Sequence, residues 1–330
     1  MPRRALITGG AGFIGSHLAE ALLTRGRPVT VLDDESTGRA ENLAAVSDSA
    51  DFHYLRGSAA DRTLVRELVA EVDEVYHLAA AVGVKLIDDE PIGSGERNIR
   101  PVQVLLSELL GVQQAGRKVS LFLASSSEVY GKNPATPWSE DADLVIGRTD
   151  CSRWSYGAAK AIDEFLALAY WRQHRLPVVV GRFFNVVGPR QSGAYGMVLP
   201  RFVEAALAGG PLVVHDDGMQ VRCFAHVLDV VDAVLGLMES EATRGQVYNI
   251  GSDEPVTILD LARRVAAAVD PSLAIEFQPY AEAYSSDFED VRIRVPDLTK
   301  LRQAIQYVPR FGLEAIIRQT VEWHRGTADS

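Results

Sequence analysis

Tyr156 and Lys160 stand four residues apart in Tyr156-Gly157-Ala158-Ala159-Lys160, a spacing that stacks a phenol and an ammonium on one face of a helix. A phenol ionises at about pH 10 in water and is a poor base at neutral pH. A neighbouring ammonium favours the phenolate and lowers that value. Upstream, Ser125-Ser126-Ser127-Glu128 closes the apolar run 119–124. A Ser126 hydroxyl at such a strand end can hydrogen-bond the same substrate hydroxyl that the phenol addresses. Ser126, Tyr156 and Lys160 are therefore candidate catalytic residues for taking a hydroxyl proton while hydride leaves the same carbon.

Hydride needs an acceptor, and Thr8-Gly9-Gly10-Ala11-Gly12-Phe13-Ile14-Gly15 is suited to holding one. Gly9, Gly12 and Gly15 permit a tight turn, close approach of a pyrophosphate and helix-on-sheet packing. The helix opening at Phe13 and Ile14 then offers free N–H groups to phosphate oxygens. Asp33 ends the next apolar run, near the spacing of about 20 residues typical of a ribose-binding acid. Asp33, with Asp34 beside it, is expected to accept ribose hydroxyls and to repel a 2′-phosphate. That predicts NAD rather than NADP, although Arg39 nearby argues the other way. A nicotinamide cation would act on Tyr156 in the same direction as Lys160.

These groups need a scaffold, and the chain alternates strand-length apolar runs with helical periods over its first half. Runs 5–8, 29–33, 52–56, 75–78, 119–124 and 178–182 read as strands. Residues 13–25 and a segment from about Tyr156 read as helices. The alternation predicts an α/β fold of Rossmann type, a doubly wound parallel sheet. After Phe184 glycine and proline become frequent and elements shorten. Helices are expected at 202–207, 227–238, 258–269 and 313–323, with short strands at 212–214, 247–250 and 275–277. This division gives a dinucleotide-binding domain over 1–185 and a smaller α/β substrate-binding lobe over 186–330, interleaved with the first.

The 330 residues carry a formal net charge of −11, with 47% hydrophobic and 23% charged residues, the balance of a folded globular chain. No basic stretch offers a footprint for nucleic acid. No apolar run reaches the roughly 20 residues needed to span a bilayer, and the glycines after Arg3 and Arg4 arrive too early for a secretory leader. Cys151 and Cys223 make no paired motif, so the expectation is a cytoplasmic protein with free thiols and no metal.

Taken with these motifs, His77-Leu78-Ala79-Ala80, Ser127-Glu128-Val129-Tyr130-Gly131 and Phe184-Asn185-Val186-Val187-Gly188-Pro189-Arg190 make the chain similar to the extended short-chain dehydrogenases/reductases acting on nucleotide sugars. Arg153-Trp154-Ser155-Tyr156, Arg222-Cys223-Phe224 and Arg294-Val295-Pro296-Asp297 look like those of UDP-glucuronic acid decarboxylases. The resemblance implies oxidation at C4 of a UDP-sugar, loss of carbon dioxide, and a UDP-4-keto-pentose or UDP-xylose product. It implies that Ser126, Ser127 and Glu128 occupy a Thr-Ser-Glu catalytic motif, Ser replacing Thr. It also implies that Leu78, Ala79 and Ala80 line the cofactor, Asn185 and Arg222 meet the substrate, and Arg294 serves the nucleotide end. Glu128, or a water it positions, is expected to protonate C5.

Three departures stand out. Gly57-Ser58-Ala59 replaces a Gly-Asp-Ile/Val pattern, leaving Ser58 to meet adenine. Val84-Lys85-Leu86-Ile87 replaces an apolar loop and offers Lys85 to the substrate, while Val295 replaces a common Lys. His77 and His226 read as structural, and Tyr170 and Trp171 as helix packing. Apolar Ile162, Phe165, Leu166 and Ala169 exceed one buried helix face and predict a homodimer. The rival reactions are a UDP-glucose or UDP-glucuronic acid 4-epimerase, which shares the C4 oxidation, and a non-catalytic NAD-sensing protein, which seldom keeps both Tyr and Lys.

Overall fold

The computed structural model describes residues 2–81, 91–193, 197–283 and 289–328; Lys85 and its segment 84–87 lie outside them. Six strands alternate with helices: β1 (Ala5–Thr8), β2 (Val29–Asp33), β3 (Phe52–Arg56), β4 (Glu74–His77), β5 (Ser120–Ser126) and β6 (Val178–Phe183). With Gln246–Ile250 they form one seven-stranded sheet, ordered Gln246–Ile250, β6, β5, β4, β1, β2, β3. Every pairing in it is parallel. Strand order reverses between β1 and β4, so the carboxyl ends of those two strands open a crevice at the switch point.

Burial on both faces explains the near-continuous apolar strands. Leu6 joins one core with Leu32, Val75, Leu121 and Val180, under the helices Arg62–Val69, Pro91–Gln114 and Ser155–His174. Its neighbour Ile7 points the other way, with Val31, Tyr76, Phe122 and Val179, under the helices Phe13–Thr24 and Val227–Glu239. A third core, around Leu199, Phe202, Leu261 and Ile316, lies among the later helices.

Two sequence expectations are corrected. The strand expected at 119–124 runs to Ser126, because Ser125 and Ser126 continue the ladder opposite Arg182 and Phe183. Residues 247–250, expected within the smaller lobe, instead form the edge of the large sheet beside β6. The preceding helix, Val227–Glu239, is buried along most of its length against the face that Phe13–Thr24 also covers, and so returns the chain to the sheet. The expected strands at 212–214 and 275–277 form and pair as Leu212–His215 with Ile275–Gln278, while three strands not read from the sequence make a further small sheet, Val221–Cys223 between Pro255–Thr257 and Ile293–Arg294.

Candidate active site

The glycine turn shows why each glycine is needed. Gly9 has φ +74°, and a Cβ there would lie 2.6 Å from the Ala79 nitrogen. A Cβ on Gly15 would lie 2.3 Å from the Gly9 carbonyl oxygen. The turn thus sits directly against the end of β4. Gly12 caps the helix Phe13–Thr24 without a side-chain cap, and the first turn carries no acid, which leaves a positive helix end facing the crevice.

Asp33 does more than the spacing predicts. Its Oδ2 accepts the Ala11 N–H at 2.9 Å and its Oδ1 accepts the Glu35 N–H at 2.8 Å, so it ties the glycine turn to β2. Each carboxylate oxygen keeps a second lone pair for a ribose hydroxyl. Burial pushes the Asp33 carboxyl up, while those two backbone hydrogen bonds oppose it. Asp34 closes its own turn by accepting the Ser36 N–H at 3.0 Å, and Ser58 accepts the Ala60 N–H at 3.2 Å.

One cavity of about 1070 Å³ runs from this turn past the end of β5 to Arg222 and Tyr280. Its volume exceeds the usual range for a single small ligand and suits a dinucleotide plus a nucleotide sugar. All the described cofactor candidates line it, namely Gly9, Gly12, Phe13, Ile14, Gly15, Asp33, Asp34, Ser58, Leu78, Ala79 and Ala80. So do Ser126, Ser127, Glu128, Tyr156, Lys160, Asn185, Arg222 and Arg294. Of the predicted site residues only Lys85 falls outside the description.

At the centre, Gly157 sets the approach. A Cβ there would lie 2.5 Å from the Glu128 carbonyl oxygen, so only glycine lets the helix Ser155–His174 press onto the turn Ser127–Tyr130. That contact brings Tyr156 to Ser126 and Glu128. The Ser126 hydroxyl oxygen accepts the Glu128 N–H at 3.2 Å, which leaves its proton to donate. Ser125 donates to Glu164 at 2.5 Å, and Arg182 grips the same carboxylate at 2.7 Å, fixing helix to strand.

The expected lowering of the Tyr156 phenol by Lys160 is not what the protein's own groups produce. Burial pushes it well up, the Glu128 charge adds to that, and the hydrogen bond with Ser126 opposes both. The Lys160 ammonium is shared with the buried carboxylate of Asp163, 3.3 Å away, whose charge raises the phenol further.

Glu128 is also corrected. Arg153 holds it through two contacts, at 2.5 and 3.0 Å, and Arg294 through one at 2.7 Å. Despite burial, the two guanidinium groups hold its carboxyl far below the usual range, so it is a fixed anion and a poor proton donor. The positioning of a water remains open to it. Arg294 in turn lies against Glu128 and 3.5 Å from the Ser127 hydroxyl, in register beside Arg222.

Arg222, in register opposite Arg294, grips Asp290 through two hydrogen bonds of 3.0 Å, and Tyr280 donates to the same carboxylate at 2.7 Å. Asn185 lines the cavity while donating to the Cys223 carbonyl at 2.9 Å. The structural reading of the histidines agrees with their contacts. His77 Nδ1 meets the Thr8 hydroxyl at 2.7 Å, and His226 Nδ1 accepts the Leu228 N–H at 3.2 Å, capping a helix. Sequence reasoning gave no role to Arg153, Asp163 or Asp290. Arg153 lay within a quoted motif and Asp163 three residues after Lys160, but Asp290 is 68 residues from its partner.

Comparison with known proteins follows this geometry. Residues 6–320 match the model of the GDP-mannose 4,6-dehydratase family. The chain is 40% identical, over 98% of its length and 98% of the relative's, to the UDP-N-acetyl-alpha-D-glucosaminuronate decarboxylase of Bacillus cytotoxicus. It is 34% identical to UDP-glucuronic acid decarboxylase 4 of Arabidopsis thaliana, over 94% of this chain and 66% of that protein. Among solved structures, the dTDP-glucose 4,6-dehydratase of Streptomyces venezuelae, determined with NAD bound, superimposes with a TM-score of 0.87 at 27% identity. That match covers 99% of this chain and 98% of the other.

Proposed function

This chain belongs to the GDP-mannose 4,6-dehydratase family, and we propose that it is an NAD-dependent decarboxylase acting on UDP-glucuronic acid. The observation that carries the reading is one continuous cavity in which Ser126, Tyr156 and Lys160 adjoin a carboxylate clamped by two arginines. The two decarboxylase relatives support it over nearly the whole chain.

Gly9, Gly12, Gly15, the helix end at Phe13 and Ile14, and Asp33 would hold NAD, which when bound supplies a hydride acceptor beside the sugar. Lys160, Tyr156, Ser58, Leu78, Ala79 and Ala80, which line the same cavity, would complete its binding surface. Tyr156, its phenolate favoured by the nicotinamide cation of bound NAD against the burial that raises it, takes the C4 hydroxyl proton, with Ser126 donating to the same oxygen, as the C4 hydride departs. The resulting C4 ketone is β to the C6 carboxylate. The C5–C6 bond then breaks, its electron pair moves onto the C4 oxygen as an enolate, and carbon dioxide leaves. The protonated Tyr156 hydrogen-bonds that developing oxyanion. A water held by Glu128 gives C5 its proton. Return of the hydride to C4 yields UDP-xylose; release before that step yields the UDP-4-keto-pentose. Arg222 receives the diphosphate, Asn185 and Ser127 the sugar, and Lys85 remains a substrate candidate.

The relative with 40% identity favours a second reading, in which the substrate carries a 2-acetamido group. Incubation with NAD and either UDP-sugar acid, each labelled with ¹³C at C6, tests both. Labelled carbon dioxide and a UDP-pentose mass are expected from UDP-glucuronic acid; labelled carbon dioxide and a UDP-2-acetamido-2-deoxy-pentose mass, from the acetamido acid alone, would favour the second reading. A UDP-hexuronate epimer that keeps its label would overturn both in favour of the epimerase. Two further proposals go with the first. Exposed Ile162 and Phe165, 44% and 65% accessible on one helix, support a homodimer through that face. Burial of both Cys151 and Cys223 suits thiols kept reduced and supports a cytoplasmic location; among the described residues no helix is long and apolar enough to cross a membrane.

A further inference from the structure

Lys160 is buried together with a partner of its own. Its Nζ lies 3.3 Å from Asp163 Oδ2, one turn along the same helix, and the two side chains are 2% and 0% exposed. A buried ammonium without an anion either loses its proton or is strongly destabilised. The other titratable groups packed nearby do not supply that anion. His77 of β4, facing Lys160, is held neutral by burial and by the lysine's charge, its pKa lowered to about 3. Glu164 is taken by Ser125 of β5 and Arg182 of β6. Glu128, beside Tyr156, is taken by Arg153 and Arg294. Asp163 Oδ1, meanwhile, is buried with no hydrogen-bond partner among the described residues.

We propose that Asp163 is a positioning residue for the Tyr156–Lys160 pair, anchoring the Lys160 ammonium by direct contact and offsetting its field at the Tyr156 phenol. The inference rests on the reading that Tyr156 carries the C4 oxidation. Burial pushes the Asp163 carboxyl up to about 6, with Lys160 pulling it down and Glu164 adding to the rise. Asp163 therefore gains or loses its charge in the range where an enzyme of this kind works. Its negative charge raises the proton affinity of the Tyr156 phenol, so removing it lowers that affinity.

The experiment has two arms. In protein carrying ¹³C-carboxyl aspartate, the resonance that disappears in Asp163→Asn should titrate near pH 6. In Lys160→Met its midpoint should rise by about one pH unit or more, the size expected on losing an adjacent opposite charge. An unchanged midpoint would overturn the proposal, whether or not the protein releases carbon dioxide. In the second arm, the acid limb of the pH profile of kcat/KM for carbon dioxide release, set by the Tyr156 base, should move about one unit toward acid in Asp163→Asn. Asp163→Glu, which keeps the charge, should leave it in place at a lower kcat. Profiles that stay put in Asp163→Asn, or shift alike in both variants, would overturn it. Should Asp163→Asn not fold, Lys160→Met/Asp163→Asn removes both charges and should cost no more activity than Lys160→Met. A further tenfold loss there would show that Asp163 acts apart from Lys160. A wild type that releases no carbon dioxide defeats the proposed reaction but leaves the first arm to decide.

Discussion

The two ends of the cavity are built from different materials. At the cofactor end the walls are backbone: a glycine turn, a helix terminus, and an aspartate whose oxygens accept two main-chain N–H groups within 22 residues of it. At the substrate end the walls are charged side chains brought from far along the chain. Arg153 and Arg294 meet on Glu128 across 25 and 166 residues, and Arg222 meets Asp290 across 68. Backbone walls suit a cofactor that stays, because they are fixed by the fold. Ion pairs suit a substrate that comes and goes, because an incoming diphosphate can exchange with a carboxylate such as Asp290.

The largest expected effect lies where the two ends meet. Tyr156→Phe removes the group that takes the C4 proton and should lower kcat for carbon dioxide release by about 10³-fold, within the usual range for such a group. NAD affinity, measured by calorimetry, should change little. Glu128→Gln leaves two buried guanidinium groups without their anion and should lower both kcat and Tm, since breaking a buried pair costs about 3–5 kcal/mol of stability. The depressed Glu128 carboxyl stays charged well below the ordinary value of about 4.5, and its contribution is lost only as pH falls through the depressed value. The carboxyl's own titration should therefore not show in the profile; because the Glu128 charge raises the Tyr156 phenol, Glu128→Gln should move the acid limb of kcat/KM toward acid, and a limb moved toward base would contradict the clamp.

Two smaller effects separate the ends directly. Arg222→Leu should raise KM for the nucleotide sugar about tenfold, as expected for losing a charged hydrogen-bonding partner, with NAD affinity unchanged. Gly9→Ala should do the reverse, weakening NAD several-fold and lowering Tm, since the new Cβ meets the Ala79 backbone in a left-handed conformation. Equal effects of either substitution on both ligands would erase the distinction between the ends.

The same division decides what the sequence reveals. Gly9, Gly12, Gly15 and Asp33 could be read because their work is local: a turn, a helix start and a strand end announce themselves by residue type and spacing. Tyr156, Lys160 and Ser126 could be read for the same reason. The sign of the shift at Tyr156 could not, because it depends on burial and on Glu128, charges and depths that no spacing reports. The contact of Arg294 with Glu128 could not be read either, because it depends on a strand pairing of Ile293–Arg294 with Val221–Cys223 that joins residues 72 positions apart, Arg222 and Arg294. Residues 247–250 look like any short strand of the smaller lobe; only the buried helix before them carries the chain back to the large sheet.

The account stands on C4 oxidation preceding loss of carbon dioxide at one site. The most direct measurement follows carbon dioxide release from UDP-glucuronic acid carrying deuterium at C4 and ¹³C at C6, in the wild type and in Tyr156→Phe. Slower release from the deuterated substrate, and almost none from Tyr156→Phe, is the predicted result. Release at an equal rate with and without deuterium, undiminished in Tyr156→Phe, would contradict it.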